Sequence, residues 1–388
     1  MRMKNQSNID YNLVFILLLL FFASCISIYS AQSSGQYVGN FLLKQVLWYG
    51  VGCGIIAGVI TLDSDQLKKI TWYAYGLGLV LLVLVVVLPE SIAPRINGAK
   101  SWFKVPGMGS LQPSEFVKVF VILALSRVTW SHHEKYPVKS TGTDFILLAK
   151  LGATTFVPFI IIMQQPDLGT SLVLLAILTG TVFIAGITWK LLVPIFAGGA
   201  SIAASILYLV IWKPEWLEKY LGFHQYQFSR VYSWIDPYTY QSSIGFQLTR
   251  SLLAIGSGQT KGKGFGQLQV YLPESHTDFI FAVVGEQFGF IGASILISIF
   301  FLLIYHLTKV GMETKNNYYT YLCVGVISMI TFHVFQNIGM TIGLLPITGI
   351  PLPFVSYGGS SLMGNMLAIA LIFSIRYHHK KYMFSTKE

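Results

Sequence analysis

Residues 272–281 read LPESHTDFIF, and they mark the point where a long polar loop meets a long apolar segment. Asp278 stands at this border. A carboxylate that loses part of its hydration beside apolar residues has a raised pKa, which brings it toward the range in which it accepts a proton at neutral pH. We therefore predict that Asp278 is a catalytic base. The position also allows a structural alternative, in which Thr277 and Asp278 only cap the following helix and complement its dipole.

The composition around this stretch is that of a membrane protein. The chain has 388 residues, of which 54% are hydrophobic and 11% charged, against about 25% charged residues in soluble domains. Its mean hydropathy is +0.62. The sequence therefore predicts an all-α polytopic membrane protein with ten transmembrane helices, at about 11–29, 43–61, 70–88, 114–128, 145–163, 170–187, 191–212, 279–307, 319–340 and 362–375.

The first apolar run, residues 11–29, has the position of a secretory signal peptide. Its apolar core is longer than the roughly 7–15 residues of such signals, and comparable runs follow it, so we interpret it as an uncleaved first span. The three cysteines lie in apolar runs, without the spacing of a metal site or a disulfide framework. No basic stretch with interleaved aromatics indicates a nucleic-acid partner, so the net charge of +10 is interpreted through membrane topology.

Ten spans place both termini on the same side of the membrane, and the distribution of lysine and arginine predicts that this side is cytoplasmic. In that orientation, 14 of the 26 lysines and arginines fall in inner segments, starting with Arg2 and Lys4, and every inner segment has at least one. The predicted architecture is a single integral membrane domain over residues 1–388. It includes one large extracellular loop, residues 213–278, between spans 7 and 8.

The outer loop at residues 89–113 carries an unusual number of cations. It has three, including Arg95 and Lys104, around Trp102, against a single acid. Outward-facing cations oppose the usual charge bias of membrane proteins. We therefore predict that Arg95 and Trp102 contribute to an anion-binding surface, the alternative being chance retention of the charges.

The large loop contains a glycine-rich stretch between residues 256 and 266, with Lys261 and Lys263 inside it. Glycines and cations together suit close approach of the backbone to phosphate oxygens. The stretch lacks the spacing of a Walker loop, and a flexible loop without a binding role is the alternative. We predict that Lys263 contacts phosphate, with Lys261 as a reserve for the same role.

Charged side chains within apolar spans mark functional sites, because burial of a charge in lipid is costly unless the charge is paired or hydrated. Glu115 and Lys118, in the fourth span, are three residues apart on a helix. They either pair locally or line a charged cavity that opens outward. In the eighth span, Glu286 lies two turns below Asp278 on roughly the same side, so we predict that it belongs to the same site.

The segment at residues 341–361, TIGLLPITGIPLPFVSYGGSS, is apolar but interrupted by prolines and glycines. It therefore cannot be a regular helix throughout. Irregular backbone at membrane depth is tolerated only against protein or a cavity. We predict a re-entrant segment whose residues 351–360 form a wall of the outer cavity, with Ser356 as a substrate contact.

Five stretches of the chain, taken in order, resemble motifs of the SEDS family of membrane peptidoglycan polymerases, whose members include RodA, FtsW and SpoVE. The resemblance extends from the first span to the tenth, and the short tails and the RINGAKSWF loop are most similar to the RodA branch. The stretches are NGAKSWF (97–103), QPSEFVK (112–118), QQPDLGTS (164–171), LPESHTDFIFAVVGEQFGFIG (272–292) and GIPLPFVSYGGSS (349–361).

This resemblance implies a glycosyltransferase that joins lipid II units into glycan strands on the outer face of the cytoplasmic membrane, in the service of cell elongation and rod shape. It implies that Asp278 is the essential aspartate of the family, that Trp102 is its loop tryptophan, and that Glu115 and Lys118 are its fourth-span pair. It also implies a class B penicillin-binding transpeptidase as partner. Gln287 departs from the family, in which many members have a second acid, so no role is predicted for this position.

The implied reaction agrees with the residue types found above. The acceptor is a sugar 4-hydroxyl, which is a poor nucleophile and needs a base such as Asp278. The leaving group is undecaprenyl pyrophosphate, whose charge would be met by Arg95, Lys118 or Lys263, with Lys104 in reserve, or by a divalent cation such as Mg²⁺ or Mn²⁺. A single displacement inverts the anomeric centre, so no second carboxylate nucleophile is required.

Two other classes of function are compatible with the sequence. A flippase or transporter for lipid-linked precursors would also have many spans and intramembrane charges. The helix interruptions predicted here lie at the outer surface, which favours outward-facing chemistry over alternating access. A scaffold that only holds a partner enzyme predicts that Asp278 is replaceable and explains the outer cations poorly.

Overall fold

A computed structural model describes residues 9–33, 35–36, 39–96, 98–105, 109–216 and 225–383, so Arg2, Lys4 and Asn97 lie outside the described residues. The described part is mostly helical. Its helices are α1 (Tyr11–Ser33), α2 (Phe41–Val59), α3 (Ser64–Val87), α4 (Pro113–Lys135), α5 (Thr141–Gln164), α6 (Leu168–Ile184), α7 (Trp189–Trp212), α8 (Gln225–Ile235), α9 (Phe246–Ser257), α10 (Ile280–Glu313), α11 (Asn317–Thr341) and α12 (Gly359–Met383).

The predicted spans coincide with helices α1 to α7 and α10 to α12. Among the described helices, eight are long and apolar enough to cross a membrane, so the chain is a multi-pass membrane protein. Helices α4 and α6 do not meet this standard: α6 has only 17 residues, and α4 carries Glu115, Lys118 and Arg127. The exact number of ten spans therefore does not follow from the helices themselves.

The all-α prediction missed a small β-hairpin in the loop between α3 and α4. Strands β1 (Phe103–Val105) and β2 (Gly109–Leu111) pair antiparallel, with Phe103 opposite Leu111. Helix α4 follows directly, with Pro113 in its first turn, where the missing N–H of proline has no helical acceptor to lose. The hairpin thus connects the loop that contains Trp102 to the start of α4.

Helices α4, α11 and α12 form the centre of the bundle. Helix α12 packs on α2 and α4, and α11 packs on α4, α6 and α10. In the apolar window of α12, 78% of the residues are buried, whereas the corresponding value for α7 is 6%. Glu115 and Lys118 of α4 are enclosed by protein, while α7 presents its apolar side chains outward.

The start of α1 and the end of α12 lie on the same face of the bundle. Asp10, just before α1, has its Oδ2 atom 2.9 Å from His306 Nε2 of α10 and 3.5 Å from Arg376 Nε of α12. Arg376 also pairs with Glu313 at the end of α10. These contacts join the three helix ends at the face opposite the loops that follow α3, α5 and α11.

The segment between α11 and α12 is irregular, as predicted, and side chains of other helices hydrogen-bond to its backbone carbonyls. Ser24 Oγ donates to Val355 O at 2.9 Å and Gln45 Nε2 donates to Ser356 O at 3.1 Å. Tyr49 Oη donates to Phe354 O at 2.5 Å. Carbonyls that lack helical partners are otherwise costly to bury, so α1 and α2 hold this segment in place.

The glycine-rich stretch of the large loop packs on α10. The backbone of α10 breaks its helical geometry at Gly289, where φ is 61°. A side-chain carbon at Gly258 would lie 2.0 Å from Gly285 O, and one at Gly262 would lie 2.0 Å from Gln287 O. The glycines thus allow close approach to the backbone of α10, where the sequence predicted approach to phosphate.

We expect Gly262→Ala to lower the thermal stability of the protein more than Gly266→Ala. Both glycines have positive φ, 81° and 76°, so alanine meets similar backbone strain at each, roughly 1–2 kcal/mol. At Gly262 the added methyl also overlaps Gln287 O, whereas no heavy atom lies within 4 Å of the one at Gly266. Thermal unfolding in detergent would compare the two variants, and equal losses would contradict the close packing.

Candidate functional site

The face that carries the loops after α3, α5 and α11 contains a cavity of about 1030 Å³. It is lined by the start of α2, the hairpin loop, the starts of α4 and α6, the large loop and the irregular segment between α11 and α12. Four of the predicted site residues, Trp102, Glu115, Lys118 and Asp278, line it together. In the part of the chain that the structure describes, the lining also includes the side chains of Lys44, Asp167, Arg230, Glu274 and His333.

Asp278 lies two residues before α10, partly exposed to the cavity. Burial raises the pKa of its carboxyl to about 7, with the Glu274 carboxylate adding to the rise and the Arg230 guanidinium opposing it. The alternative role in helix capping is wrong, because the N-cap of α10 is Phe279 and no side chain caps it. Thr277 instead donates to Glu274 Oε2 at 2.8 Å.

The backbone around Asp278 is fixed by an amide on α11. Asn337 Nδ2 donates to Asp278 O at 2.7 Å and to Ile350 O at 2.8 Å. This fully buried side chain therefore ties the peptide of Asp278 to the wall of the cavity. The wall approaches the carboxylate closely, since a side-chain carbon at Gly349, where φ is +73°, would lie 3.4 Å from Asp278 Oδ2.

Ser356, predicted as a substrate contact, is not in the lining of the cavity. It is buried, its Oγ donates to Thr277 O at 2.6 Å, and the same oxygen accepts from Leu352 N at 2.8 Å. A further backbone bond of 2.9 Å runs from Tyr357 N to His276 O. Ser356 thus joins the loop that carries Asp278 to the wall.

The structure agrees with both roles predicted for Glu115 and Lys118, which are a local ion pair and the lining of a cavity. Lys118 Nζ is 2.8 Å from Glu115 Oε2, so the two form a local ion pair, and both side chains line the cavity. The pair is almost completely buried, with 1% of the lysine side chain and 5% of the glutamate side chain exposed. Lys118 Nζ also lies 2.9 Å from His333 Nε2, a contact that the sequence analysis did not include.

The structure does not bring Lys263 and Glu286 into the cavity lining. Lys263 Nζ is 2.7 Å from Glu286 Oε1, which also accepts from the backbone N–H groups of Gln269 and Val270 at 2.9 and 3.1 Å. A buried carboxylate needs such partners, and the folded loop supplies them away from Asp278. The prediction that Glu286 shares a site with Asp278 is therefore wrong.

Arg95 is also outside the lining of the cavity. Its Nε atom is 3.0 Å from Glu90 Oε1, and about two thirds of each side chain is exposed, 65% and 66%. The reserve cations Lys104 and Lys261 are exposed and do not line the cavity either. Among the described residues, the cations of the lining are instead Lys44, Lys118 and Arg230.

Several residues of the site were missed in the sequence. His333 and Asn337 are polar side chains within an apolar span, so the rule that identified Glu115 also applies to them. Asp167 belongs to QQPDLGTS, and its carboxylate accepts from Thr170 N at 3.0 Å and Gln112 Nε2 at 2.8 Å. Arg230 lies in the large loop, where no local pattern distinguishes it from other cations.

The cavity lining contains carboxylates, the ligand type that binds divalent cations, but they do not form a complete metal site. Across the described ranges, no group of three His, Cys, Asp or Glu side chains is close enough to hold a metal ion. Asp167 and Glu274 are acids of the cavity lining besides Glu115 and Asp278. Mg²⁺ commonly uses only one or two protein carboxylates together with substrate phosphates, so these acids suit a cation that arrives with a substrate.

Residues 9–381 match the Cell cycle protein family of FtsW, RodA and SpoVE, and the chain belongs to this family. It is 34% identical over 374 residues to the stage V sporulation protein E of Bacillus subtilis, with 94% of this chain and 96% of that protein covered. It is 31% identical over 383 residues to the peptidoglycan glycosyltransferase MrdB of Escherichia coli K12, with 97% and 95% covered.

Solved structures have the same fold. The rod shape determining protein RodA of Thermus thermophilus superimposes with a TM-score of 0.68 and 26% identity, over 97% of this chain and 99% of that chain. A chain from a peptidoglycan synthase complex that coordinates polymerization and crosslinking gives a TM-score of 0.76 at 26% identity, over 96% and 98%. The resemblance found in the sequence motifs is thereby confirmed.

We expect Asn337→Leu to destabilise the protein more than Asn365→Leu. The first change leaves the carbonyls of Asp278 and Ile350 without their donor, and each unpaired buried group costs about 1–3 kcal/mol. Asn365 is equally buried, but its amide makes one long contact of 3.5 Å to Ser361 Oγ. Thermal unfolding in detergent would measure both, and equal melting temperatures would contradict the role of Asn337.

Proposed function

We propose that this protein polymerises lipid II into glycan strands on the outer face of the cytoplasmic membrane and that the cavity is the site of the reaction. The enzyme class, peptidoglycan glycosyltransferase, follows from relatives with that name at 30–35% identity over most of this chain. The observation that carries the proposal is the placement of Asp278, whose pKa is raised to about 7, in one cavity with Lys118 and Arg230.

The reaction is a single displacement in which Asp278 is the general base. The Asp278 carboxylate takes the proton of the acceptor 4-hydroxyl as that oxygen forms a bond to the anomeric carbon of the donor sugar. The bond from this carbon to the pyrophosphate oxygen breaks, and undecaprenyl pyrophosphate leaves. Attack from the opposite face inverts the anomeric centre.

The leaving pyrophosphate needs positive charge, and Lys118, Arg230 and Lys44 are the cavity cations that can supply it. The folded chain gives Arg95 and Lys263 carboxylate partners outside the lining, so we no longer assign them this role. A divalent cation, Mg²⁺ or Mn²⁺, remains a prediction. Asp167 and Glu274, as acids of the cavity lining, are the residues that would offer it carboxylate ligands, and the cation would neutralise charge on the leaving pyrophosphate.

We further propose the orientation and the biological setting of the enzyme. Both termini are cytoplasmic, as the positive charges of the inner segments predict, and residues 213–278 form an extracellular loop of a single membrane domain. The partner is a class B penicillin-binding transpeptidase, and the role is cell elongation. Similarity to a chain of a complex that coordinates polymerization and crosslinking supports this partner.

We expect Asp278→Asn to abolish glycan polymerisation. Asparagine keeps the size of the side chain and removes the base, and general-base catalysis commonly contributes about 10²- to 10⁴-fold in rate. The measurement is polymer formation from purified lipid II by reconstituted protein together with its partner transpeptidase. Asp65→Asn is the matched control, because Asp65 is an exposed residue at the start of α3 outside the cavity lining.

Polymer from the Asp278→Asn protein would show that the base is another group. Lipid II that crosses the membrane of the same vesicles without forming polymer, with the intact protein, would favour the flippase. Absence of both activities would favour the scaffold.

The rate of polymerisation is expected to rise with pH through about 7, because the Asp278 carboxyl must be ionised to accept a proton and burial raises its pKa to about 7. Removal of the neighbouring negative charge in Glu274→Gln lowers the pKa of Asp278 and moves the midpoint to lower pH. Arg230→Gln removes a positive charge and moves it to higher pH. Initial rates across this pH range would measure the shifts, and shifts in the same direction would contradict the assignment.

A further inference from the structure

His333 is a buried histidine of α11 that faces the cavity and contacts Lys118 of α4. Only 1% of its surface is exposed. The reaction described above uses Lys118 as a cation for pyrophosphate but gives His333 no task. A histidine enclosed in this way needs partners for both ring nitrogens, and each of its nitrogens has one.

The two contacts of the ring determine which nitrogen carries the proton. His333 Nδ1 lies 2.7 Å from the backbone carbonyl of Met329. A carbonyl oxygen only accepts hydrogen bonds, so Nδ1 carries the proton and donates it. In the neutral ring Nε2 then has a free lone pair, and it accepts from Lys118 Nζ at 2.9 Å.

These contacts use two of the three N–H donors of the Lys118 ammonium. One donates to Glu115 Oε2 at 2.8 Å and one to His333 Nε2. A tetrahedral ammonium held at two corners keeps a fixed orientation. Within the described residues its third N–H has no other hydrogen-bond partner, so it can donate into the cavity that Lys118 lines. Because the imidazole is neutral, it orients the ammonium without adding a second negative charge that would repel an anionic ligand.

We infer that His333 is a positioning residue that orients Lys118 to donate its remaining N–H to the pyrophosphate of a lipid-linked ligand. It acts as a neutral acceptor fixed in one tautomer by the carbonyl of Met329. The alternative is a histidine whose contacts serve only the packing of α4 against α11. This inference rests on the proposed function, because it takes the ligand to be lipid-linked pyrophosphate.

The test is the affinity of the full-length protein in detergent for undecaprenyl pyrophosphate, with undecaprenol as the probe that lacks the phosphates. His333→Leu removes the acceptor, and we expect the Kd for undecaprenyl pyrophosphate to rise at least about tenfold, as for the loss of a hydrogen bond to a charged group. Binding of undecaprenol is expected to stay unchanged. His333→Gln retains an acceptor oxygen and is expected to bind within about threefold of the intact protein.

His132→Leu is the matched control for the loss of a buried histidine. His132 lies on α4 with 3% of its surface exposed and is not in the cavity lining. We expect this variant to bind undecaprenyl pyrophosphate as the intact protein does. Thermal unfolding of each variant identifies any that does not fold.

A double-mutant cycle separates positioning from packing. If His333 acts through Lys118, then Lys118→Met combined with His333→Leu binds no more weakly than Lys118→Met alone. Multiplying effects would overturn the inference, as would wild-type affinity of His333→Leu or equal losses in the folded Leu and Gln variants. If the intact protein does not bind undecaprenyl pyrophosphate, the proposed function itself fails, and the inference fails with it.

Discussion

A backbone carbonyl that is buried in a protein must find a hydrogen-bond donor there, and the cavity face of this chain depends on that constraint. In the irregular segment between α11 and α12, the carbonyls of Phe354, Val355 and Ser356 accept hydrogen bonds from side chains of α1 and α2. The amide of Asn337 does the same for Asp278 and Ile350. These hydrogen bonds also fix the wall and the loop beside it. The need to pair the backbone carbonyls therefore determines the shape of the cavity.

Two carboxylates of the cavity have different surroundings, and in the proposed reaction this difference gives them different roles. Glu115 is bound to an ammonium in a buried ion pair, which leaves it little freedom to take part in proton transfer. Asp278 lies near the Glu274 carboxylate, and burial raises its pKa to about 7, so it can exchange a proton near neutral pH. In the proposed reaction Glu115 therefore holds Lys118, and Asp278 acts as the base.

Much of the fold and part of the site could be predicted from the sequence, and the limit is set by tertiary pairing. Hydropathy located the helices because it is a property of composition. The border between a polar loop and an apolar segment identified Asp278, and the cost of charge in lipid identified Glu115. Glu286 satisfied the same rule, yet in the folded protein it pairs with Lys263 of the large loop and does not line the cavity. Arg230 reaches the cavity from a loop without periodicity, so only the fold reveals it. Rules based on local sequence identify charged groups that are costly to bury, but they do not identify the partner that pairs with each group.

The hydrogen bonds of the cavity wall join opposite ends of the chain. Ser24 and Val355 are 331 residues apart, and Gln45 and Ser356 are 311 apart. During synthesis, α1 and α2 enter the membrane first, and their buried polar side chains wait for acceptors that are made almost last. The donors are therefore made first, but the hydrogen bonds of the wall can form only after the last part of the chain has been made. The cavity is complete only when α12 has been inserted, so the cavity of this enzyme forms at the end of its synthesis.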